Sequence, residues 1–428
     1  MSIFLFLSLC FLCVLSYFFC GKKISSPSVI VNFSFLLSSC FVCVYEDYWE
    51  LTMSSDAVFL ILACLVIFLV GDTTMYRLCS FNHKERFTIE KKEFSYPNVI
   101  VIVTILVGIL IAYQFYQSVF SMIDTLNLDY TQQFLQARED SLLYGWNIPT
   151  WMKFGLSLVN CMAFVSVYCI VYNTCTRGFV KQDIKLMIPI FIFVVITIVK
   201  MARIDLLQLF LYSAYLYILL TSILKEDYSI KRQIQYLLFT GIIFMVLFCS
   251  LRYLRGGEYD IILHIARYFG GPLLCFSMYL DHTAYPFYYT PSLGWNTFHS
   301  LYLDIIRLTS NDVPTLMSTD GIPVYGYDFT CNVYTALAVY YEDFGYIGCI
   351  FAFLFLSLIF TIFHTYIIKN KISGMLLIIY ADISTSLFML PISEIFFSNQ
   401  IQFSRIGHFL LIFLLMKLCI KKRILFDK

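Results

Sequence analysis

Apolar residues form long runs along almost the whole chain, and short polar segments separate them. The hydrocarbon core of a bilayer is about 30 Å thick, which a helix of roughly 20 apolar residues crosses. The runs predict eleven membrane-spanning helices, over residues 2–20, 28–45, 54–71, 98–117, 152–172, 185–200, 205–224, 234–251, 346–368, 373–391 and 405–420. We therefore predict one all-α polytopic membrane domain over residues 1–428, without a separate soluble domain.

One further stretch, IILHIARYFGGPLLCFSMYL at 261–280, is long enough to span but holds His264, Arg267 and a central Gly-Gly-Pro. If it crossed, every later basic segment would turn to the outer side. We predict instead a re-entrant segment or a helix in the outer interface, since protein or water must cover a broken backbone at that depth. The chain then has eleven spans, or twelve if this segment crosses.

Composition excludes several classes of protein. With 60% hydrophobic residues, 13% charged residues and a mean hydropathy of +0.78, the chain has too little polar surface for a water-soluble globule. A net charge of +1 gives no reason to expect a nucleic-acid partner. Nearly all of the 15 cysteines lie inside apolar runs, which excludes an extracellular disulfide framework. We predict neither a metal nor another cofactor, because the CxxC pairs at Cys10 and Cys40 lie within predicted spans and have no His nearby.

The basic residues predict which side of the membrane each polar segment faces. Twenty of the 29 lie in segments that alternate onto one side, which the positive-inside rule makes cytoplasmic. The N-terminus is then outside and the C-terminus inside. Two outer loops result, residues 118–151 and the larger 252–345, and the inner segments are too short for a catalytic or nucleotide-binding domain. Any chemistry must therefore face outward or lie within the membrane.

The other nine basic residues lie in or near the predicted outer segments, and seven of these nine are arginines. A guanidinium binds two phosphate oxygens through parallel hydrogen bonds, which an ammonium cannot do. Arg203, Arg252, Arg255 and Arg405 lie at or just inside predicted span ends, on one outer level. As a set they favour a polyanionic substrate such as a lipid-linked diphosphate. For each arginine alone, a lipid head group or a neighbouring acid is an equal alternative.

Aromatic and polar residues are dense in the larger outer loop, in TAYPFYYTPSLGWNTFHSLYLD at 283–304. Rings that stack on sugars, with Asn, His and Asp to bind hydroxyls, make this a candidate carbohydrate surface. An aromatic belt at the membrane interface predicts the same composition, so both interpretations stay open. His264, His282 and His299 are too widely spaced for a helical metal-ligand pair. The DFG that begins at Asp343 comes without the other kinase motifs.

Six segments, in order along the chain, resemble the bacterial O-antigen or oligosaccharide repeat-unit polymerases, the Wzy family. They are ARIDLLQL (202–209), RYLRGG (252–257), RYFGGPL (267–273), GWNTF (294–298), NVYTALAVYYEDFGYIG (332–348) and SRIG (404–407). The resemblance covers the C-terminal half, and the N-terminal half matches only in hydropathy pattern. Its most specific piece is the polar NVYT followed by an acid, Phe and Gly. The double acid Glu342-Asp343 departs from the single acid of the pattern, and we take Asp343 as its equivalent.

The resemblance implies a glycosyltransferase that uses no sugar nucleotide and acts at the periplasmic face of the bacterial inner membrane. It would transfer the growing glycan from undecaprenyl diphosphate to the non-reducing end of a new lipid-linked repeat unit. The implied fold is an all-helical, GT-C-like membrane class with a large periplasmic loop, related to O-antigen ligases. The implied partners are undecaprenyl-diphosphate-linked oligosaccharide as donor and acceptor, membrane lipid, a chain-length regulator and a flippase.

Within that framework each candidate residue has an expected role. The catalytic base is Asp343 or His264, since an acid or imidazole must take the proton of the acceptor hydroxyl. The groups expected to bind the diphosphate are Arg203, Arg252, Arg255 and Arg405. The residues expected to orient donor or acceptor are Arg267, Arg307, Asn332, Tyr334 and Thr335. For Glu342 the expected role is structural, either as a helix cap or as the partner of an arginine.

Three other functions compete with polymerisation. A repeat-unit flippase or transporter would show internal repeats and charged residues near the midplane of several helices. An O-antigen ligase shares the architecture and transfers the glycan to the lipid A core. A scaffold for polysaccharide assembly would have no catalytic site.

Overall fold

The computed structural model describes residues 1–80, 92–123, 149–200, 202–224, 230–253, 260–281, 293–309, 334–418 and 420–424. Within these ranges thirteen α-helices dominate. They are α1 (Ser2–Phe19), α2 (Pro27–Trp49), α3 (Ser55–Ser80), α4 (Asn98–Ile123), α5 (Thr150–Arg177), α6 (Ile184–Val199), α7 (Arg203–Leu224), α8 (Ile230–Tyr253), α9 (Ile261–Leu280), α10 (His299–Thr309), α11 (Ala336–Lys369), α12 (Met375–Met389) and α13 (Phe403–Leu418). Strands β1 (Lys92–Ser95) and β2 (Lys421–Ile424) pair antiparallel, with Lys92 opposite Ile424.

Ten of the described helices are long and apolar enough to cross a membrane. Nine coincide with predicted spans, and the tenth is α9. The last two predicted spans, 373–391 and 405–420, contain shorter helices, α12 with 15 residues and α13 with 16. The chain is therefore an all-α polytopic membrane protein.

Helix α9 runs without interruption through the stretch that we predicted to be re-entrant or interfacial. Asp260 begins it by accepting a hydrogen bond from the backbone N–H of Ile262, at 3.0 Å. Gly270 lets the helix approach α2 closely, since an added Cβ would lie 3.2 Å from the backbone nitrogen of Val42. The backbone is thus continuous, and its length and apolarity are those of a span. Its orientation in the bilayer stays a prediction from the loop charges.

The chain forms two compact units. Unit 1 comprises Met1–Glu85, Asp260–Lys369 and Ile383–Arg405, and unit 2 comprises Arg86–Tyr259, Asn370–Asp382 and Ile406–Lys428. Each unit is assembled from three separate stretches of sequence, so residues far apart along the chain meet inside it.

The core of unit 1 lies where α3 and α11 pack side by side. Phe353 on α11 contacts Phe35 on α2 and Phe68 on α3, with ring centroids 6.3 Å apart in both pairs. A Cβ at Gly71 would lie only 2.0 Å from Ser357 Oγ, so a larger residue there would force the Ser357 side chain to move. Close packing of this kind provides much of the cohesion between helices in a membrane.

Asp72, on α3, connects three segments of unit 1 and is only 1% exposed. Its carboxylate accepts hydrogen bonds from Ser26 Oγ (2.7 Å), the backbone N–H of Ser28 (2.9 Å) and Thr361 Oγ1 (2.7 Å). Ser28 lies in the first turn of α2, where backbone N–H groups have no partner within the helix. Asp72 therefore caps α2 from a neighbouring helix.

Three basic segments meet at the same end of unit 1. Lys23 Nζ lies 6.0 Å from the ring centroid of Tyr76, one residue before Arg77. Lys369 Nζ donates a hydrogen bond to the carbonyl of Cys79. This shared end is the one that the positive-inside rule predicts to be cytoplasmic.

In unit 2 the long helix α5 packs against α6, α7 and β1. Asp183, which is 1% exposed, accepts hydrogen bonds from Asn173 Nδ2 (2.8 Å), Arg177 Nη2 (2.8 Å) and the backbone N–H of Val180 (2.9 Å). Arg177 also forms a 2.9 Å ion pair with Glu93 of β1. This network holds β1 against the last turn of α5.

Candidate functional site

The candidate site in unit 1 is built around Asp343, whose side chain is buried at 7% exposure. Both carboxylate oxygens accept hydrogen bonds from the GWNTF turn. The backbone N–H of Thr297 donates to Oδ2 at 2.6 Å, while the backbone N–H and side-chain amide of Asn296 donate to Oδ1 at 3.3 and 3.1 Å. Helix α10 begins two residues later, at His299. Asp343 thus fixes the turn from which α10 starts.

A break in α11 at Gly345 separates Asp343 from the long remainder of the helix. Gly345 has φ +66° and ψ −165°, a conformation that residues with a Cβ almost never adopt. The segment before it, Ala336–Phe344, is therefore a short separate helix. Its first residue, Ala336, donates a backbone hydrogen bond to the carbonyl of Leu390 at 2.9 Å. The glycine in EDFG allows this short helix to pack independently of the span that follows.

Glu394 is the second acid of the site, and it organises the segment between α12 and α13. Its Oε1 accepts hydrogen bonds from the backbone N–H of Phe397 (2.8 Å) and the hydroxyl of Tyr340 (3.2 Å). Its Oε2 accepts the backbone N–H of Ser398 at 2.8 Å. These bonds hold a single π-helical turn, Phe396–Gln400. Such turns are rare and often lie at functional sites.

The π-turn positions the guanidinium of Arg405. Arg405 Nε donates to the carbonyl of Asn399 at 3.2 Å. Asp304 of α10 accepts the backbone N–H of Phe403, the first residue of α13, at 2.8 Å, and lies 3.6 Å from Arg307. The start of α13 is thereby tied to both the π-turn and α10. Of the predicted site residues, the structure brings Arg307, Arg405 and Asp343 into one connected group of segments.

Aromatic rings fill the space between these segments. The ring centroid of Phe397 lies 5.2 Å from Phe298 and 5.8 Å from Tyr340. Beside them, the ring centroid of Trp295 lies 5.2 Å from His299 and 5.5 Å from Tyr302. The GWNTF turn, the short helix before Gly345 and the π-turn therefore share one packed core.

Several buried polar atoms in these segments have no hydrogen-bond partner among the described residues. They are Thr297 Oγ1, His299 Nε2, Thr335 Oγ1 and both side-chain amide atoms of Gln400. Buried polar groups are normally hydrogen-bonded, so such atoms point to a ligand or water that completes them. Hydroxyl, imidazole and amide groups all suit the hydroxyl groups of a sugar.

His299 lies at the start of α10, outside the membrane-spanning helices. Burial lowers the pKa of its imidazole from the ordinary value, and the positive charge of Arg307 lowers this pKa further. The neutral form of His299 is therefore favoured.

Other predicted site residues lie elsewhere. His264 and Arg267 are on α9, and His264 is about 22 Å along the helix axis from Tyr279, at 1.5 Å per residue. Tyr279 is the α9 residue whose ring contacts Tyr341, with centroids 6.0 Å apart. His264 therefore lies near the opposite end of α9 from this contact. Tyr334 and Thr335, immediately before α11, are both buried.

Among the four arginines expected to bind the diphosphate, Arg203 begins α7 in unit 2, where its guanidinium carbon lies 5.6 Å from the ring centroid of Phe248. Arg252 belongs to the last turn of α8. The side chain of Arg252, and the whole of Arg255 and Asn332, lie outside the described residues.

Sequence reasoning missed Glu394, Asn399 and Gln400. A signal was present, because PISEIFFSNQIQFSRIG places one acid and several amides between two apolar runs. The described residues contain no group of three or more His, Cys, Asp and Glu side chains able to hold a metal ion.

Comparisons of this chain with protein-family models, with curated proteins and with solved structures found no match.

Proposed function

We propose that this chain is a polysaccharide polymerase of the Wzy type. It joins undecaprenyl-diphosphate-linked oligosaccharide repeat units, of an O-antigen or of a capsular or exopolysaccharide, at the outer face of the bacterial inner membrane. The observation that carries the proposal is the meeting of three separate motifs in unit 1. GWNTF binds Asp343 of the EDFG motif directly, and the π-turn connects that motif to Arg405 of SRIG.

The proposed reaction transfers the growing glycan to a sugar hydroxyl of the incoming unit. The bond between the anomeric carbon and the diphosphate oxygen breaks, and a new glycosidic bond forms to the acceptor oxygen. The acceptor proton is released, and undecaprenyl diphosphate leaves with its electron pair. Fixed guanidinium groups stabilise the charge that develops on the leaving diphosphate. Arg203, Arg252, Arg255 and Arg405 are the candidates for this task.

In this proposal Asp343 is a positioning residue. Both of its carboxylate oxygens already accept hydrogen bonds from Asn296 and Thr297, so taking up a proton would break bonds that hold the GWNTF turn. Its expected role as base therefore has less geometric support than a role in holding the site together. Arg267, Arg307, Tyr334 and Thr335 keep their expected roles in orienting donor or acceptor.

A deletion strain tests the proposal, because each rival function leaves a different product. Loss of a polymerase leaves surface lipopolysaccharide with a single repeat unit. Loss of a flippase leaves no repeat unit displayed, and loss of a ligase leaves polymer on the carrier lipid. Either of the last two results would overturn the proposal. The purified protein should also form polymer from lipid-linked units without any sugar nucleotide.

The transporter alternative has one observation in its favour. Asp382 and His408, both buried, face each other within unit 2. Ionisable residues inside a membrane commonly mark ion or proton pathways.

A further inference from the structure

Unit 2 contains a cluster of titratable side chains that the proposed glycosyl transfer does not use. Asp382 of α12 and His408 of α13 are 3% and 7% exposed. Their nearest side-chain atoms, Asp382 Oδ2 and His408 Nε2, are 3.8 Å apart. The other ring nitrogen, Nδ1, lies 3.1 Å from Cys161 Sγ of α5. One imidazole therefore lies between a carboxylate and a thiol from two other helices.

Asp382 differs from the other buried acids in the part of the chain that the structure describes. Those acids are Asp72, Asp183, Asp343 and Glu394, and each accepts hydrogen bonds from backbone N–H groups near the start of a helix or turn. Asp382, the eighth of the 15 residues of α12, instead faces the imidazole of His408. The contact that distinguishes Asp382 is thus one with a titratable side chain.

Burying an acid and an imidazole at this position lowers the stability of the fold unless other interactions compensate. Removing charges from water costs several kcal/mol for each ion, and well-packed apolar side chains often replace a buried pair without loss of stability. Holding α12 and α13 together is thus not a sufficient reason for two ionisable groups at this position. A carboxylate facing an imidazole has one property that an apolar pair lacks, which is the exchange of protons.

We propose that Asp382 and His408 form an intramembrane proton-exchange site, whose ligand is a proton taken up from water. At rest the pair holds one proton and no net charge, either as carboxylate and imidazolium or as acid and imidazole. An arriving proton produces the acid together with the imidazolium. Release of one proton restores the neutral pair, so no other reactant is needed.

The groups around the pair fit this exchange. Cys161 Sγ lies 3.1 Å from one ring nitrogen of His408, and Asp382 faces the other at 3.8 Å. From α7, Tyr212 interacts electrostatically with Asp382, and its hydroxyl donates to the carbonyl of Phe164 at 3.1 Å. The ring of Phe164 meets the imidazole edge-on at 6.2 Å between centroids. A thiol and a phenol are both uncharged at neutral pH. In this proposal the proton is therefore gained and lost by Asp382 and His408.

Infrared difference spectroscopy of the purified full chain in lipid nanodiscs tests this inference. Spectra are recorded between acidic and neutral pH, within the range in which the protein stays folded. We expect a carboxylic-acid C=O band that disappears in Asp382→Asn and shifts in frequency in His408→Gln. Asp72→Asn is the matched control, since it removes a buried carboxylate that caps a helix, and it should leave the band in place.

A pH-difference spectrum of Asp382→Asn identical to that of the wild type would overturn the inference. If Asp382→Asn does not fold, Asp382→Glu replaces it, because this variant keeps a carboxyl group and should shift the band. A band that is unshifted in both Asp382→Glu and His408→Gln would also overturn the inference. The measurement needs no glycan substrate. Failure of the polymerase proposal and failure of this one are therefore distinguishable.

Discussion

The carboxylate of Asp343 lies 2.6 Å from the backbone nitrogen of Thr297, a residue 46 positions earlier in the chain. This hydrogen bond joins two of the motifs on which the resemblance to repeat-unit polymerases rests. It also favours a structural role for Asp343 over a role as catalytic base, because both carboxylate oxygens accept hydrogen bonds from N–H groups.

Replacing Asp343 with Asn should loosen the GWNTF turn. The amide has one acceptor oxygen in place of two and no charge, and each lost charge-assisted hydrogen bond costs about 1.5–3 kcal/mol. We expect faster hydrogen exchange at the amides of Asn296 and Thr297, together with reduced polymer. Glu342→Gln, at the neighbouring half-exposed acid, is the control and should leave that exchange unchanged. Abolished polymer with unchanged exchange would instead identify Asp343 as the catalytic base.

Glu394→Gln should act on Arg405 through the π-turn. The substitution weakens the hydrogen bonds that hold Phe397 and Ser398, so the carbonyl of Asn399 no longer fixes the guanidinium. With the purified protein we expect KM for the lipid-linked donor to rise more than kcat falls. Tyr340→Phe, which removes one 3.2 Å hydrogen bond to the same carboxylate, should have a milder effect. An equal rise in KM for Glu394→Gln and Tyr340→Phe would contradict the proposed link from Glu394 through the π-turn to Arg405.

Arginine-to-lysine substitutions test the diphosphate role. Arg252→Lys, Arg255→Lys and Arg405→Lys keep the positive charge but lose the paired hydrogen bonds of a guanidinium. Each should abolish long polymer ladders on a gel at an unchanged protein level. Lys200→Gln is the control, because the 2.9 Å ion pair of Lys200 with Asp205 is partly exposed and such pairs contribute little. Long chains retained in the lysine variants would refute the diphosphate role.

Gly345→Ala should destabilise the protein through the backbone alone. A Cβ at Gly345 would meet no atom within 4 Å, so the cost is that of forcing φ +66° on alanine, about 1–3 kcal/mol. Gly407→Ala is a matched control, since that site is equally open but lies within α13 at an ordinary φ. It should be neutral or stabilising by up to about 1 kcal/mol. Thermal unfolding of both purified variants measures the difference, and equal melting temperatures would count against the strained break.

The lowered pKa of His299 predicts a pH dependence of stability at the start of α10 in unit 1. Its folded-state pKa is lowered, so the unfolded state binds more protons at acidic pH, and its contribution to stability is lost as pH falls below the unfolded-state value. The neighbouring Trp295 reports this change, because a protonated imidazole quenches indole fluorescence. The wild-type signal minus that of Trp295→Phe should fall on acidification. His299→Gln should abolish the fall, and a fall that persists in this variant would exclude His299 as its cause.

The sequence predicted the helices far better than the contacts of the site. Hydropathy located nine long helices because the length of a span is fixed by the bilayer and not by other parts of the chain. It selected Asp343 as a candidate site residue but could not reveal Asn296 and Thr297 as its partners, since those hydrogen bonds depend on tertiary packing. Glu394 was missed for the same reason, because an acid in a short polar segment has no periodic pattern. Asp382 and His408 each look unremarkable within their own apolar run, and only the meeting of α12 and α13 makes them a pair.

The pairing of β1 with β2 has a consequence for biosynthesis. Lys92 and Ile424 are opposite each other, although the ribosome completes more than 300 residues between them. Strand β1 therefore cannot pair with β2 until all of the intervening spans have been synthesised. Unit 2 can close only after the final segment, Ile406–Lys428, has been synthesised. A truncated chain that stops before β2 therefore leaves the edge of β1 uncovered, and quality-control factors can recognise that exposed edge.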